Sequence, residues 1–148
     1  GRIRVSEEWV NKFPGARLAF VHKTRDVSKP NISKAGKIVG DVKGRDCIVV
    51  DDLIDTAGTI AHSVDVIRAA GASSVYVVGT HAVFSAPAVE RLEKCGAEKV
   101  IVTNSLPIPK EKRFDKLEIV SVAPILAKAL KAIFAEKSVA SLFDDIKK

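Results

Sequence analysis

The sequence predicts an α/β domain, a doubly wound and mainly parallel sheet with helices on both faces. Three observations predict it. Short runs rich in valine and isoleucine, at 47–50, 75–79, 100–102 and 117–122, alternate with stretches of helical period, the order that builds parallel sheets. These runs are largely apolar instead of alternating, as befits strands covered on both sides. The first of them ends in a cluster of aspartates, and open α/β sheets hold ligands beyond the carboxyl ends of their strands.

The elements follow in chain order. Ser6-Glu7-Glu8 reads as a helix start, a hydroxyl cap with acids in the first turn, and Gly15 as its close. Trp9 is expected to pack that helix on the sheet. Residues 18–21 form a short strand. Residues 22–37, HKTRDVSKPNISKAGK, have no apolar period and hold four lysines and one arginine. A loop of that length in a compact domain points to a flexible lid over an active site, poorly ordered without ligand. After the strand at 47–50 and the acidic loop, Ile60, Val64 and Ile67 share one helical face, and Gly71 stands at the C-terminal stop. Beyond the strand at 75–79, Ser85 caps a helix with Pro87 in its first turn, Val89 and Leu92 inward and Gly96 as the stop. A loop with two prolines at 106–113 separates the strands at 100–102 and 117–122. Ser121 caps the last helix, with Pro124 in its first turn. That helix is expected to run to about residue 135 and to bury Ile125, Leu126, Leu130 and Ile133.

Bulk composition narrows the function classes. A length of 148 residues with 47% hydrophobic content fits one domain with a real core. The chain begins at Gly1 and contains no methionine, and we read it as a piece of a longer protein. No apolar run approaches the roughly 20 residues that span a bilayer, so no membrane partner is expected. Cys47 and Cys95 suit neither a zinc site nor a disulfide framework, which fits core thiols in a reducing, cytoplasmic compartment. His62 and His81 have no partners at metal-ligand spacing, and His22 reads as a surface residue. The net charge of +6 lies wholly in residues 1–46, with 11 Lys+Arg against 5 Asp+Glu, while the remainder carries 13 of each. A basic segment upstream of an acidic cluster suits a polyanion held with a divalent cation. Nucleic acid is the rival partner. The basic part offers only Trp9, Phe13 and Phe20 as aromatics and no recognition helix, so no nucleic-acid partner is expected.

The stretch IVVDDLIDTAGTI at 48–60 concentrates the chemistry. Three carboxylates at the mouth of an apolar strand repel one another, and desolvating one costs several kcal/mol unless a positive group or hydroxyl donors satisfy it. Asp55-Thr56-Ala57-Gly58-Thr59 leads straight into a helix, whose backbone N–H groups face outward at its positive end. Glycine and alanine permit close approach there, and the threonines add hydroxyl donors, so the turn suits a phosphate. Carboxylates accept hydrogen bonds from a vicinal diol and ligate Mg²⁺ directly or through water. Asp51 and Asp52 can therefore hold a ribose while Thr56, Gly58 and Thr59 hold its phosphate. The plainer reading of an aspartate cap before an ordinary turn leaves two further acids unexplained.

The motif from Val49 to Thr59 resembles the phosphoribosyl diphosphate signature of the type I phosphoribosyltransferase fold. Within it, the chain is most similar to the ribose-phosphate pyrophosphokinase (phosphoribosyl diphosphate synthase) family, specifically its C-terminal half. His22-Lys23-Thr24-Arg25, Val39-Gly40-Asp41-Val42, Val102-Thr103-Asn104-Ser105-Leu106-Pro107-Ile108 and a tail with Ser138, Leu142 and Phe143 extend the likeness over essentially the whole chain. The resemblance implies transfer of the diphosphate of ATP to the 1-hydroxyl of ribose 5-phosphate, releasing AMP, with Mg²⁺ essential. It implies that Asp51 and Asp52 hold ribose hydroxyls and assist the metal, partly through water. By the same likeness Asp55, Thr56, Ala57, Gly58 and Thr59 bind the 5-phosphate. Lys23 and Arg25 match the catalytic cations of the family's flexible loop, here 22–37, where charge stabilisation is what phosphoryl transfer needs most. Gly1 and Arg2 match the end of the diphosphate-binding loop, and Ser138 and Phe143 a regulatory site. The family assembles as dimers built into hexamers. On this reading the chain is the ribose 5-phosphate-binding half of a longer two-domain enzyme and lacks turnover alone. Two alternatives share the fold: a phosphoribosyltransferase, for which no spare segment forms a hood over a base, and a non-catalytic regulatory subunit, which would ordinarily lose the loop cations.

Overall fold

A computed structural model describes residues 3–22, 37–140 and 142. Helix α1 (Ile3–Val10) comes first, followed by strands β1 (Phe20–His22) and β2 (Lys37–Val39). Strand β3 (Asp46–Ile54), helix α2 (Gly58–Ala69) and strand β4 (Ser74–Ala82) form the centre. Helix α3 (Ala88–Lys94), strand β5 (Lys99–Thr103), strand β6 (Leu117–Val120) and helix α4 (Ala123–Phe134) complete the chain order.

The α/β expectation stands as a four-stranded parallel sheet in the order β3-β4-β5-β6. Its register runs Val49 beside Val77, Val77 beside Val100, and Val100 beside Leu117. Each crossover steps to the next strand in the same direction, and right-handed crossovers of that kind place their helices on one face. Val75, Val77, Val100 and Val102 point into that face and are fully buried with Val64 of α2 and Leu92 of α3. Ile60, Val64 and Ile67 are the buried stripe of α2, as their spacing predicts, and Gly71 ends the helix at φ +90°. The opposite face stays open at its edges, where Ile48 is 45% and Val120 48% exposed.

Several expectations change. Helix α1 starts at Ile3, three residues before the Ser6 cap signal, and is over by Val10, well before Gly15. A serine inside a helix is only mildly unfavourable, so a local cap signal is easily overruled. Trp9 stacks on Phe13, ring centroids 5.8 Å apart. In α3 the cap position falls to Pro87 and the buried residues are Ala88 and Leu92, with Val89 partly buried; Ser85 instead offers its carbonyl to the Ala88 N–H at 2.9 Å. Helix α4 has its expected extent, and Ser121 Oγ accepts the Ala123 N–H at 3.2 Å. Yet α4 buries nothing: Ile125, Leu126, Leu130 and Ile133 are 55–62% exposed. The helix follows β6 at the sheet's edge, and among the described residues no strand comes after it to draw its apolar stripe back over the core.

Strand β2 has no counterpart in the sequence reading. It pairs antiparallel with β1, His22 opposite Lys37, so the two ends of the lysine-rich segment stand side by side. Residues 23–36, and with them the expectations about that segment's order and its catalytic cations, lie outside the described residues. Among the described residues no helix is long and apolar enough to cross a membrane.

Candidate functional site at the carboxyl end of β3

The acidic cluster divides between a strand and a turn. The apolar run predicts a strand ending at Val50, but β3 continues through Asp51, Asp52 and Leu53 to Ile54. Its neighbour decides this: β4 is equally long and pairs Asp51 with Gly79, Leu53 with His81 and Ile54 with Ala82. A strand's end is set by where its partner stops hydrogen-bonding, which the strand's own side chains do not report. Ile54 is fully buried, and its carbonyl accepts the N–H groups of Val83 and Phe84 at 3.0 and 3.1 Å. That fastens the β4–α3 connection beneath the site.

Asp51 and Asp52 are both half-buried, and Asp51 Oδ1 accepts the Asp52 N–H at 2.9 Å. Burial pushes the Asp51 carboxyl above its ordinary value, and a hydrogen bond with the Asp52 side chain pushes the same way. A carboxylate held so is under-satisfied as an anion and gains from hydroxyl donors or a cation.

Asp55, Thr56 and Ala57 make the turn into α2. Asp55, Thr56 and Thr59 are exposed, Gly58 is half-buried and Ala57 is buried. Ala57 is the cap of α2 at φ 56°, ψ 8°, a left-handed conformation that costs a non-glycine residue about 1 kcal/mol or more. Its methyl can accept nothing from the first-turn N–H groups of α2, which remain directed out of the helix end. From α3, Arg91 Nη1 donates to the Thr56 carbonyl at 2.9 Å. Farther along the same edge, Thr103 Oγ1 and Ser105 Oγ both donate to the Thr80 carbonyl, at 2.7 and 3.1 Å, and His81 Nδ1 lies 2.9 Å from Ser105 Oγ.

The structure thus brings Asp51, Asp52, Asp55, Thr56, Ala57, Gly58 and Thr59 together around one strand exit and one helix start. Ser138 lies beyond α4, where its Oγ accepts the Ala140 N–H at 3.2 Å. Gly1, Arg2, Lys23, Arg25 and Phe143 lie outside the described residues. Cys95 is a buried thiol, as expected, and Cys47 is half-buried, its pKa raised first by burial and then by Asp46. Sequence reasoning passed over Arg91 and gave Thr103 and Ser105 no role of their own. The strand-end pair could have been found from its place at the carboxyl end of a neighbouring parallel strand. Arg91 had no signal, since its contact spans 35 residues. Among the described residues no three His, Cys, Asp or Glu side chains form a metal-holding group of their own. Two carboxylates are nevertheless the hard-oxygen share that a protein commonly gives Mg²⁺, with waters and substrate phosphates completing the shell.

Residues 13–144 match the family model of the phosphoribosyl synthetase-associated domain. The chain is 58% identical over 144 residues to a ribose-phosphate pyrophosphokinase of Bifidobacterium longum, covering 97% of this chain and 42% of that protein. It is 50% identical to the ribose-phosphate pyrophosphokinase of Mycobacterium leprae, covering 97% of this chain and 44% of that protein. A crystal structure of phosphoribosylpyrophosphate synthetase from Mycobacterium smegmatis superposes with a TM-score of 0.82 at 48% identity, over 91% of this chain and 42% of that one. The chain therefore spans between two fifths and one half of the length of these relatives.

Proposed function

Because the chain belongs to the phosphoribosyl synthetase-associated domain family, we propose that it is the C-terminal, ribose 5-phosphate-binding half of a ribose-phosphate pyrophosphokinase. The whole enzyme transfers the diphosphate of ATP to the 1-hydroxyl of ribose 5-phosphate and releases AMP. The observation that carries this reading is the meeting of Asp51 and Asp52 at the end of β3 with the uncapped start of α2. A sugar phosphate has both a diol and an anion, and this edge of the sheet supplies acceptors for one and amide donors for the other.

In this reading Asp51 and Asp52 accept hydrogen bonds from the ribose hydroxyls, orienting the sugar. Asp55, Thr56 and Thr59, with the amides of Ala57 and Gly58 at the start of α2, bind the 5-phosphate. Mg²⁺, when bound, supplies charge neutralisation on the transferred phosphates, and Asp51 and Asp52 are the residues to hold it, partly through water. Lys23 and Arg25 stabilise charge on the phosphates in transfer and exclude water as their loop closes. Gly1 and Arg2 end a diphosphate-binding loop, and Ser138 and Phe143 belong to a regulatory site. The chain itself is read as one domain whose mainly parallel sheet is doubly wound, with helices on both faces. The whole enzyme is a cytoplasmic homo-oligomer, dimers assembling into hexamers.

Calorimetric titration with ribose 5-phosphate in the presence of Mg²⁺ is expected to give binding heat, abolished by Asp55→Ala. No heat from the unsubstituted chain would end the reading. Joined to the N-terminal part of the B. longum relative, the chain is expected to form AMP from ATP and ribose 5-phosphate. Binding without AMP would favour a regulatory subunit.

A further inference from the structure

Arg91 stands one helix away from the acidic turn. It projects from α3, and its Nη1 donates to the Thr56 carbonyl at 2.9 Å. A Cβ built on Gly58 would lie 3.2 Å from that same nitrogen, so the guanidinium rests against the first residue of α2 and glycine is what leaves it room. The contact acts on a particular peptide. A peptide unit is planar with its C=O and N–H pointing opposite ways, so a Thr56 carbonyl held toward α3 sends the Ala57 N–H to the other side. Ala57 is left-handed and Gly58 is helical. A pairing of left- and right-handed residues turns successive N–H groups toward a common point, where an anion fits. The left-handed alanine is a costly conformation, and a charge-assisted bond from a neighbouring helix is the kind of contact that holds one in place.

We propose that Arg91 is a positioning residue for the sugar-phosphate turn. By holding the Thr56 carbonyl it keeps the amides of Ala57, Gly58 and Thr59 aimed at the anionic end of the ligand. This inference rests on the reading of that turn as a 5-phosphate site. It differs from a charge effect, in which the guanidinium merely attracts the phosphate and leaves the turn's geometry alone.

Amide NMR separates the two. In the unsubstituted chain, ribose 5-phosphate is expected to shift the Ala57, Gly58 and Thr59 amides downfield as they donate to the phosphate. Arg91→Ala is expected to weaken binding about tenfold, the low end for losing a bond from a charged donor. It is also expected to abolish the Ala57 shift even at saturation, while the α3 amides stay dispersed. Should Arg91→Ala lose its dispersed spectrum, Arg91→Gln, which keeps most of the stem, takes its place in both measurements. Unchanged affinity overturns the inference. So does weaker binding with the full Ala57 shift at saturation, which is the charge effect alone. Failure of the unsubstituted chain to respond to ribose 5-phosphate overturns this inference and the site reading together, whereas an unaffected Arg91 variant overturns this inference only.

Discussion

Helices α2 and α4 are both twelve residues long and both carry an apolar stripe at helical spacing. In α2 the stripe of Ile60, Val64 and Ile67 is buried; in α4 Ile125, Leu126, Leu130 and Ile133 stay more than half exposed, and Phe134 is 87% exposed. What separates them is position along the chain. Helix α2 is a crossover between two hydrogen-bonded parallel strands, so closing the β3–β4 ladder forces it down onto the sheet. Helix α4 follows the edge strand β6, and among the described residues no further ladder pulls it back. An amphipathic period says that a face has something to gain from cover, on the order of 1 kcal/mol for each half-exposed aliphatic side chain here. It does not say which part of the molecule supplies the cover. The relatives run to more than twice this chain's length, so a face bare here has further protein to meet in them.

The contrast can be broken by mutation. Ile67→Ala in α2 is expected to cost about 2–5 kcal/mol in urea unfolding, the usual range for hollowing a core. A cost below that of an exposed substitution would show that α2 is not seated as described. Next, Gly79→Ala probes the sheet beneath the acidic end of β3. Its new Cβ would lie 2.6 Å from Ile54 Cδ1 and 2.7 Å from Cγ1, and overpacking of that kind costs about 1–3 kcal/mol. Its crystal structure is expected to show Ile54 displaced and the Asp51–Asp52 pair moved with it. Wild-type stability there would mean that Ile54 has room the structure denies it.

A smaller effect comes from the half-buried carboxyl of Asp51. The folded-state pKa of Asp51 is raised above 3.8, by burial first. The folded chain therefore holds its proton to higher pH than the unfolded chain does. Stability from this group is fully present below the unfolded value and is lost as pH rises through the folded one. In metal-free buffer Asp51→Asn is accordingly expected to melt higher than the parent at pH 7, the gap closing as the pH falls below about 4. Thermal melts across that range check the sign, and a variant that melts lower at pH 7 contradicts it. Smallest of all, Ile133→Ala in α4 is expected to change the stability of this chain by less than about 0.5 kcal/mol, as an exposed substitution does. A loss matching that of Ile67→Ala would erase the distinction between the two helices.

Much of the fold was legible because it rests on local regularities. The apolar runs around Val49, Val77 and Val100 mark strands by composition, and Ile60, Val64 and Ile67 mark a buried helical face by spacing. The stretch from Asp51 to Thr59 combines acids at a strand end with a glycine-containing helix start, so the candidate site was visible as well. The misses share a cause. The continuation of β3 to Ile54 depends on the length of β4, the β1–β2 ribbon on pairing between two three-residue segments, and the Arg91 contact on how α3 lies against α2. None of these leaves a period or a composition in the residues concerned.

The sequence by itself determined the centres of the four parallel strands and of α2 and α4, which face of α2 is apolar, and where the acids and the helix start meet. Those properties follow from side-chain chemistry, from apolar runs and from the 3.6-residue repeat, which act over a few residues. Only the tertiary structure decided that Asp51 and Asp52 lie within a strand, that Arg91 reaches the Thr56 carbonyl, and that the stripe of α4 stays more than half exposed. Those depend on contacts between segments far apart in the chain, whose geometry exists only once the ladder and the crossovers have closed.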